Sequence, residues 1–194
     1  MRRIGVLALQ GAFIEHVHAL QRIGVDAVEV RLPHDLEGLD GLIIPGGEST
    51  AIGKLMVRFG FIEPLTDAAT AGLPIWGTCA GMILLANDIG GLNQPLLGLM
   101  DITVERNAFG RQLDSFETDL AIPALGPLPF PAIFIRAPLI HEVGDATDVL
   151  ARLGDGRIVA AREGNLLATS FHPELTHDDR LHRYFVEQLV GDEG

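Results

Sequence analysis

One cysteine, Cys79, stands between two glycines in the run Ile75-Trp76-Gly77-Thr78-Cys79-Ala80-Gly81-Met82. A β-branched and aromatic stretch ending in Gly-x-Cys-x-Gly and passing straight into a helix predicts a nucleophile elbow, a sharp strand-to-helix corner that exposes its central side chain. Glycine is needed on either side because a Cβ there would collide with neighbouring backbone. The positive end of the following helix favours an anionic sulfur, and the backbone N–H of Ala80 points toward an oxyanion. The plain alternative is a buried cysteine beside two turn glycines.

A second motif weighs against that alternative. Phe171-His172-Pro173-Glu174 follows an apolar run that starts at Leu166. Positions two apart in an extended segment share a side, and a residue before proline is biased to extended backbone. Glu174 is thus expected to reach the His172 ring, fix its tautomer and stabilise its charged form, leaving the other ring nitrogen to exchange a proton with a thiol. Alone, His-Pro-Glu reads as a solvated turn. With an elbow cysteine upstream it predicts a catalytic triad of Cys79, His172 and Glu174, although elbow hydrolases place the acid before the histidine.

The third stretch is Leu42-Ile43-Ile44-Pro45-Gly46-Gly47-Glu48-Ser49-Thr50. Adjacent glycines let backbone N–H groups turn inward, as an oxyanion hole requires, and loss of one such donor costs about 3 kcal/mol of transition-state stabilisation. The Gly-Lys-Ser/Thr ending of a phosphate loop is missing. Arg106 and Arg136 each end a predicted strand and offer a fork to a substrate carboxylate; pairing with an acidic surface neighbour is the competing reading. His16 and His18 fall on the first helix, His34 in a loop, His141 after a strand, and His177 and His182 near the last helix. None has the spacing of a zinc site, so no metal is expected.

The elements that must position these residues follow from periodicity. Residues 4–9, 27–30, 41–44 and 74–78 read as strands. Helical stretches fall between them: one with Phe13, Val17 and Leu20 on one face, one over 50–59 capped by Ser49 or Thr50, one over 62–71, and one over 80–86. Alternation of this kind predicts an α/β fold of three layers, a mostly parallel sheet flanked by helices. The last third changes character, with strands at 101–106, 132–136, 157–161 and 166–171 expected to form antiparallel pieces, Asp155-Gly156 and Gly164-Asn165 marking hairpins. Residues 122–131 are proline-rich and read as a surface loop, and Asp178-Asp179 opens a closing helix with a Leu181, Phe185, Leu189 stripe.

Composition narrows the function. The 194 residues, 47% apolar, suit one domain spanning 1–194, and no apolar run approaches the length that crosses a bilayer. Fourteen basic against 26 acidic side chains give a net charge of −12, which repels nucleic acid and anionic membranes. A lone cysteine agrees with a reducing cytoplasm.

Together the motifs resemble the class I (triad) glutamine amidotransferases. Within them Leu9-Gln10-Gly11, Pro45-Gly46-Gly47-Glu48-Ser49-Thr50, Gly77-Thr78-Cys79-Ala80-Gly81, Arg106-Asn107-Ala108-Phe109-Gly110-Arg111-Gln112, Phe134-Ile135-Arg136-Ala137-Pro138 and His172-Pro173-Glu174-Leu175 look like the glutaminase subunits of pyridoxal 5′-phosphate synthases. The resemblance implies that Gly47, Glu48 and Ser49 contact L-glutamine, that Gly47 and Ala80 form the oxyanion hole, and that Arg106, Ile135 and Arg136 complete the pocket. It further implies no cofactor, and a (β/α)8-barrel synthase subunit as partner in a hetero-oligomer. The glutaminase subunit of imidazole glycerol phosphate synthase shares the triad and is the nearer rival; a non-catalytic module on the same fold is the other.

Overall fold

The run Gly41–Ile44 is buried at every position, yet Leu42 and Ile44 pack into one core and Ile43 into another. That is the period-two division of a strand covered on both faces. The computed structural model describes residues 1–109 and 115–191. The first part alternates as the sequence predicts, through β1 (Arg3–Leu7), α1 (Phe13–Arg22), β2 (Asp26–Val30), β3 (Gly41–Ile44), α2 (Ser49–Arg58), α3 (Ile62–Thr70), β4 (Ile75–Thr78) and α4 (Ala80–Leu85). The rest is rich in strands: β5 (Ala86–Asp88), β6 (Met100–Glu105), β7 (Ser115–Leu120), β8 (Phe130–Ile135), β9 (Leu139–Val143), β10 (Asp148–Arg152), β11 (Ile158–Glu163) and β12 (Leu166–Thr169). Helix α5 (Arg180–Tyr184) follows and runs into a π-helical turn, Phe185–Leu189.

Among the described residues the main sheet runs β2-β1-β3-β4-β12-β11-β9-β6-β5, with β10 on β11. Pairing is parallel from β2 through to β12 and antiparallel at β12–β11, β11–β9, β9–β6 and β11–β10. Both predicted hairpins form, at Asp155-Gly156 and Gly164-Asn165. Helices cover both faces: Ile52, Met56, Leu65 and Met82 of α2, α3 and α4 belong to one core, and Val17, Leu20, Leu181 and Phe185 of α1 and the C-terminal helix to the other. No helix among the described residues is long and apolar enough to cross a membrane.

β4 lies between β3 and β12, with Ile75 opposite both Leu42 and Leu166. Three parallel strands therefore end side by side, and the Gly46-Gly47 turn, Cys79 and His172 each follow one of those ends. Crevices at the carboxyl ends of parallel strands are where open α/β sheets bind ligands.

Two sequence expectations need correction. Helix α2 is capped by Glu48, not by Ser49 or Thr50: its carboxylate accepts the N–H groups of Thr50 and Ala51 at 3.1 and 2.7 Å. The two hydroxyls instead donate to Gln94. The stretch 122–131 is not wholly a surface loop, because Ile122 and Phe130 are buried in the core and Phe130-Pro131 opens β8. Proline is tolerated at the start of a strand, where little ladder bonding is lost.

Candidate active site

Cys79 occupies the corner between β4 and α4 with φ 49° and ψ −104°, a conformation costing a non-glycine residue on the order of 1–3 kcal/mol. Its neighbours enforce the corner. A Cβ on Gly77 would lie 2.5 Å from the backbone carbonyl of Gly81, and one on Gly81 would lie 2.0 Å from the carbonyl oxygen of Ile44. The Cys79 N–H donates to the Thr169 carbonyl at 2.8 Å, which ties the corner to β12. The sulfur lies 3.9 Å from the carbonyl oxygen of Ile135.

His172 is fixed from both sides of its backbone. Its N–H donates to the Ile133 carbonyl at 2.8 Å, and the preceding Phe171 is fully buried against Phe130 and Phe134, with ring centroids 5.8 and 5.5 Å apart. Burial of one such ring contributes about 2–3 kcal/mol, enough to hold the segment in place. Glu174 reaches the ring by a route different from the expected extended one. Pro173 begins a 3-10 turn, Pro173–Leu175, for which its locked φ is suited, and the turn swings Glu174 under the imidazole.

Nδ1 of His172 lies 2.6 Å from Oε1 of Glu174, and the Cys79 thiol is near enough to the ring to act on its ionisation. Burial alone would lower the imidazole, but Cys79 and Glu174 together raise it to about 10. A charged imidazole is therefore the resting form at neutral pH, with Nδ1 committed to the carboxylate and Nε2 left for the sulfur. The structure thus brings Cys79, His172 and Glu174 together.

The glycine turn closes over this group. A Cβ on Gly46 would lie 2.5 Å from Cε1 of His172 and 3.3 Å from Cβ of Cys79. Residues 10–12 brace the turn from behind: Gln10 Oε1 accepts the Glu48 N–H at 2.9 Å, and the Ala12 N–H donates to the Gly46 carbonyl at 3.0 Å. Ala80 is buried at the start of α4.

Beside the turn, Gln94 Oε1 gathers Ser49 Oγ and Thr50 Oγ1, both at 3.1 Å, and Arg106 Nη1 at 2.8 Å. Arg106 also lies 3.6 Å from the Glu48 carboxylate. Burial opposes ionisation of Glu48, but the N–H groups of Thr50 and Ala51, the Thr50 hydroxyl and Arg106 hold it below the usual carboxylate range. Ile135 ends β8 and Arg136 follows it, both with exposed side chains, Arg136 at φ 43°. Of the Arg106-to-Gln112 string, Gly110, Arg111 and Gln112 lie outside the described residues.

Sequence reasoning missed four polar neighbours. Gln10 carried a signal in its place before Gly11, but Gln94, in the stretch between β5 and β6, carried none. His16 and His182, read as unremarkable, are wholly buried behind Glu174.

A cysteine at a strand-to-helix corner beside a His-Glu pair on a three-layer α/β fold is the arrangement expected of a triad amidotransferase. The chain belongs to the SNO glutamine amidotransferase family, which it matches over residues 6–191. A relative from Herpetosiphon aurantiacus, named pyridoxal 5′-phosphate synthase subunit PdxT, is 63% identical over 186 residues, covering 94% of this chain and 98% of its own. One of the same name from Moorella thermoacetica is 60% identical over 187 residues, covering 96% and 99%. A crystal structure described as a glutamine amidotransferase superposes with a TM-score of 0.92 at 53% identity, covering 97% of this chain and 99% of that one. These relatives do not favour the imidazole glycerol phosphate alternative.

Proposed function

We propose that Cys79, His172 and Glu174 hydrolyse L-glutamine to L-glutamate and ammonia through a cysteine thioester. The chain is the glutaminase subunit of a pyridoxal 5′-phosphate synthase, and the observation that carries the mechanism is the buried His172–Glu174 pair at 2.6 Å, whose ring and the Cys79 side chain both abut Gly46. The Cys79 thiolate adds to the side-chain carboxamide carbon, and the tetrahedral oxyanion is received by the N–H groups of Gly47 and Ala80. The His172 imidazolium gives its Nε2 proton to the departing nitrogen, the C–N bond breaks, and ammonia leaves. The neutral imidazole then takes a proton from water as water adds to the γ-glutamyl thioester; the C–S bond breaks, releasing glutamate and restoring the ion pair. Glu174 keeps its negative charge throughout and steadies the ring.

Gly47, Glu48 and Ser49 line the glutamine side, with Arg106, Ile135 and Arg136 completing the pocket. No cofactor enters this chemistry. Ammonia attacks carbonyl groups only while uncharged, which gives a physical reason for docking onto a (β/α)8-barrel synthase subunit that consumes it. One domain suffices for the reaction, and its single free thiol suits a reducing cytoplasm.

The test is Cys79→Ala, assayed for glutamate release with the synthase subunit present, beside calorimetry with glutamine. Binding without turnover is expected, and turnover by the variant removes Cys79 from the mechanism. Addition of synthase to the parent chain is expected to raise glutamate production well above the solitary rate.

A further inference from the structure

Two histidines that no step of this reaction uses are sealed behind the triad. His16 of α1 and His182 of α5 are both 0% exposed. His16 Nε2 lies 3.4 Å from Oε2 of Glu174 and 3.2 Å from Oγ1 of Thr78, while its Nδ1 lies 3.0 Å from Nε2 of His182. Trp76 walls the pair in, its ring edge-on to both at centroid distances of 5.7 and 5.0 Å. The Glu174 side chain is itself 0% exposed, so its outer oxygen has no access to bulk water. Among the described residues neither that oxygen nor Nδ1 of His182 has a well-formed hydrogen bond.

Proton positions follow from these distances. If Nε2–H of His182 donates to Nδ1 of His16, then His16 carries its own proton on Nε2, aimed at Glu174 and Thr78, and His182 Nδ1 is a bare lone pair. In the reverse pattern His182 would bury an N–H with no acceptor, and His16 would turn a lone pair toward a buried carboxylate. An unpaired buried donor and opposed lone pairs both cost more than one unfilled acceptor, so the first pattern prevails. Both rings are neutral: burial, then His182 and His172, keep His16 well below its ordinary value. Burial holds His182 at about 4, with Asp179 opposing and Arg22 assisting. The Nε2–H makes its hydrogen bond with Thr78 Oγ1, and the Glu174 outer oxygen, 3.4 Å from the same nitrogen, meets it as a neutral dipole and not as a formed hydrogen bond.

We propose that His16 is a positioning residue: its Nε2–H dipole, fixed in that tautomer by His182 and 3.4 Å from the outer oxygen of Glu174, steadies that oxygen so that the inner oxygen stays on His172. This rests on the triad assignment above. Without that dipole, a carboxylate shut off from water either turns to find a partner or gives up its charge. In both cases the His172 imidazolium loses its anion, and burial, which lowers it, gains weight. The groups facing His16 are Glu174, His172 and Thr78 on one side, and His182 with Asp179 and Arg22 beyond it on the other.

The experiment compares parent, His16→Leu and His16→Gln in complex with the synthase subunit. For His16→Leu, kcat for glutamine hydrolysis is expected to fall about tenfold or more with KM within about threefold, because a fully buried residue does not touch substrate. The alkaline limb of kcat/KM is expected to move down by about one pH unit. His16→Gln, whose amide N–H can stand where Nε2–H stood, is expected to restore most of both. In the parent, nitrogen NMR of ring-labelled histidine is expected to find His16 protonated at Nε2 and bare at Nδ1. A His16→Leu protein that melts at lower temperature yet keeps the parent kcat and pH profile would make His16 a core filler and overturn the proposal. So would the opposite tautomer, a reading available even where His16→Leu does not fold. Turnover by Cys79→Ala sinks the triad reading itself, whereas an inactive Cys79→Ala beside an unaffected His16→Leu sinks only this inference.

Discussion

Gln10 accepts the backbone N–H of Glu48 through its side-chain oxygen at 2.9 Å, and the same oxygen stands 2.4 Å from where a Cβ on Gly47 would lie. A residue of the loop between the first strand and α1 therefore sets the turn expected to receive the oxyanion. A single neutral hydrogen bond is worth about 1 kcal/mol, and an oxyanion donor displaced by its loss is worth more. Gln10→Ala is predicted to reduce kcat/KM for glutamine about tenfold while leaving thermal stability nearly unchanged. Steady-state kinetics with the synthase subunit checks this, and parent-like kinetics would show that the turn holds itself.

The elbow glycines lead to a prediction about folding. With 2.0 Å between a Gly81 Cβ and the Ile44 carbonyl, nothing flexible is available to move, since the obstacle is backbone of the neighbouring strand. Gly81→Ala is predicted to destabilise by about 3 kcal/mol or more, read as a lower urea midpoint. Gly154→Ala is the control, because a Cβ there meets nothing within 4 Å, and its midpoint should match the parent.

The same glycines explain why so much of the site was legible in the sequence. A strand, a forced corner and a helix are local events, and Gly77, Cys79 and Gly81 record all three. Gly46-Gly47 and His172-Pro173-Glu174 also leave local marks, although proline marks the start of a 3-10 turn there and not continued strand. Relations between distant elements leave none. His16 reaches Glu174, and Gln94 reaches Ser49, Thr50 and Arg106, only once the sheet is assembled. β7, β9 and β10 were missed for a related reason: Ser115–Leu120, Leu139–Val143 and Asp148–Arg152 are half-exposed strands with charged or polar positions, defined by partners in the sheet more than by their own apolar content.

The two buried neutral histidines give stability a specific pH dependence. His182 titrates at about 4 in the folded chain and near its ordinary 6.5 when unfolded. Between those values the unfolded chain binds a proton that the folded chain refuses, so acid favours unfolding and stability rises with pH across that window. The contribution is fully present above about 6.5 and is lost as pH falls toward 4, amounting to about 3 kcal/mol. His172 has the opposite sign: raised to about 10, it contributes stability that is complete below about 6.5 and is lost as pH climbs through 10. His182→Leu is predicted to flatten the acid side by up to about 1.4 kcal/mol per pH unit. Urea titrations from pH 4 to 10 check both limbs; an unchanged acid slope would place the proton uptake elsewhere.

Arg106 offers the clearest separation of binding from chemistry. Its Nη1 is spent on Gln94 at 2.8 Å and its Nη2 stands 3.6 Å from Glu48, so the guanidinium is held as a flat fork beside the expected glutamine pocket, with 26% of the side chain still exposed. A lysine keeps the charge but cannot make two directed contacts while presenting a third N–H to a carboxylate. The α-carboxylate of glutamine lies on the far side of the molecule from the carboxamide that reacts, so a group binding it holds ground state and transition state alike. Arg106→Lys is therefore predicted to raise KM for glutamine about tenfold with kcat within about threefold. A loss confined to kcat would instead assign the arginine to the Gly46-Gly47 turn, acting through Glu48 on the oxyanion donors.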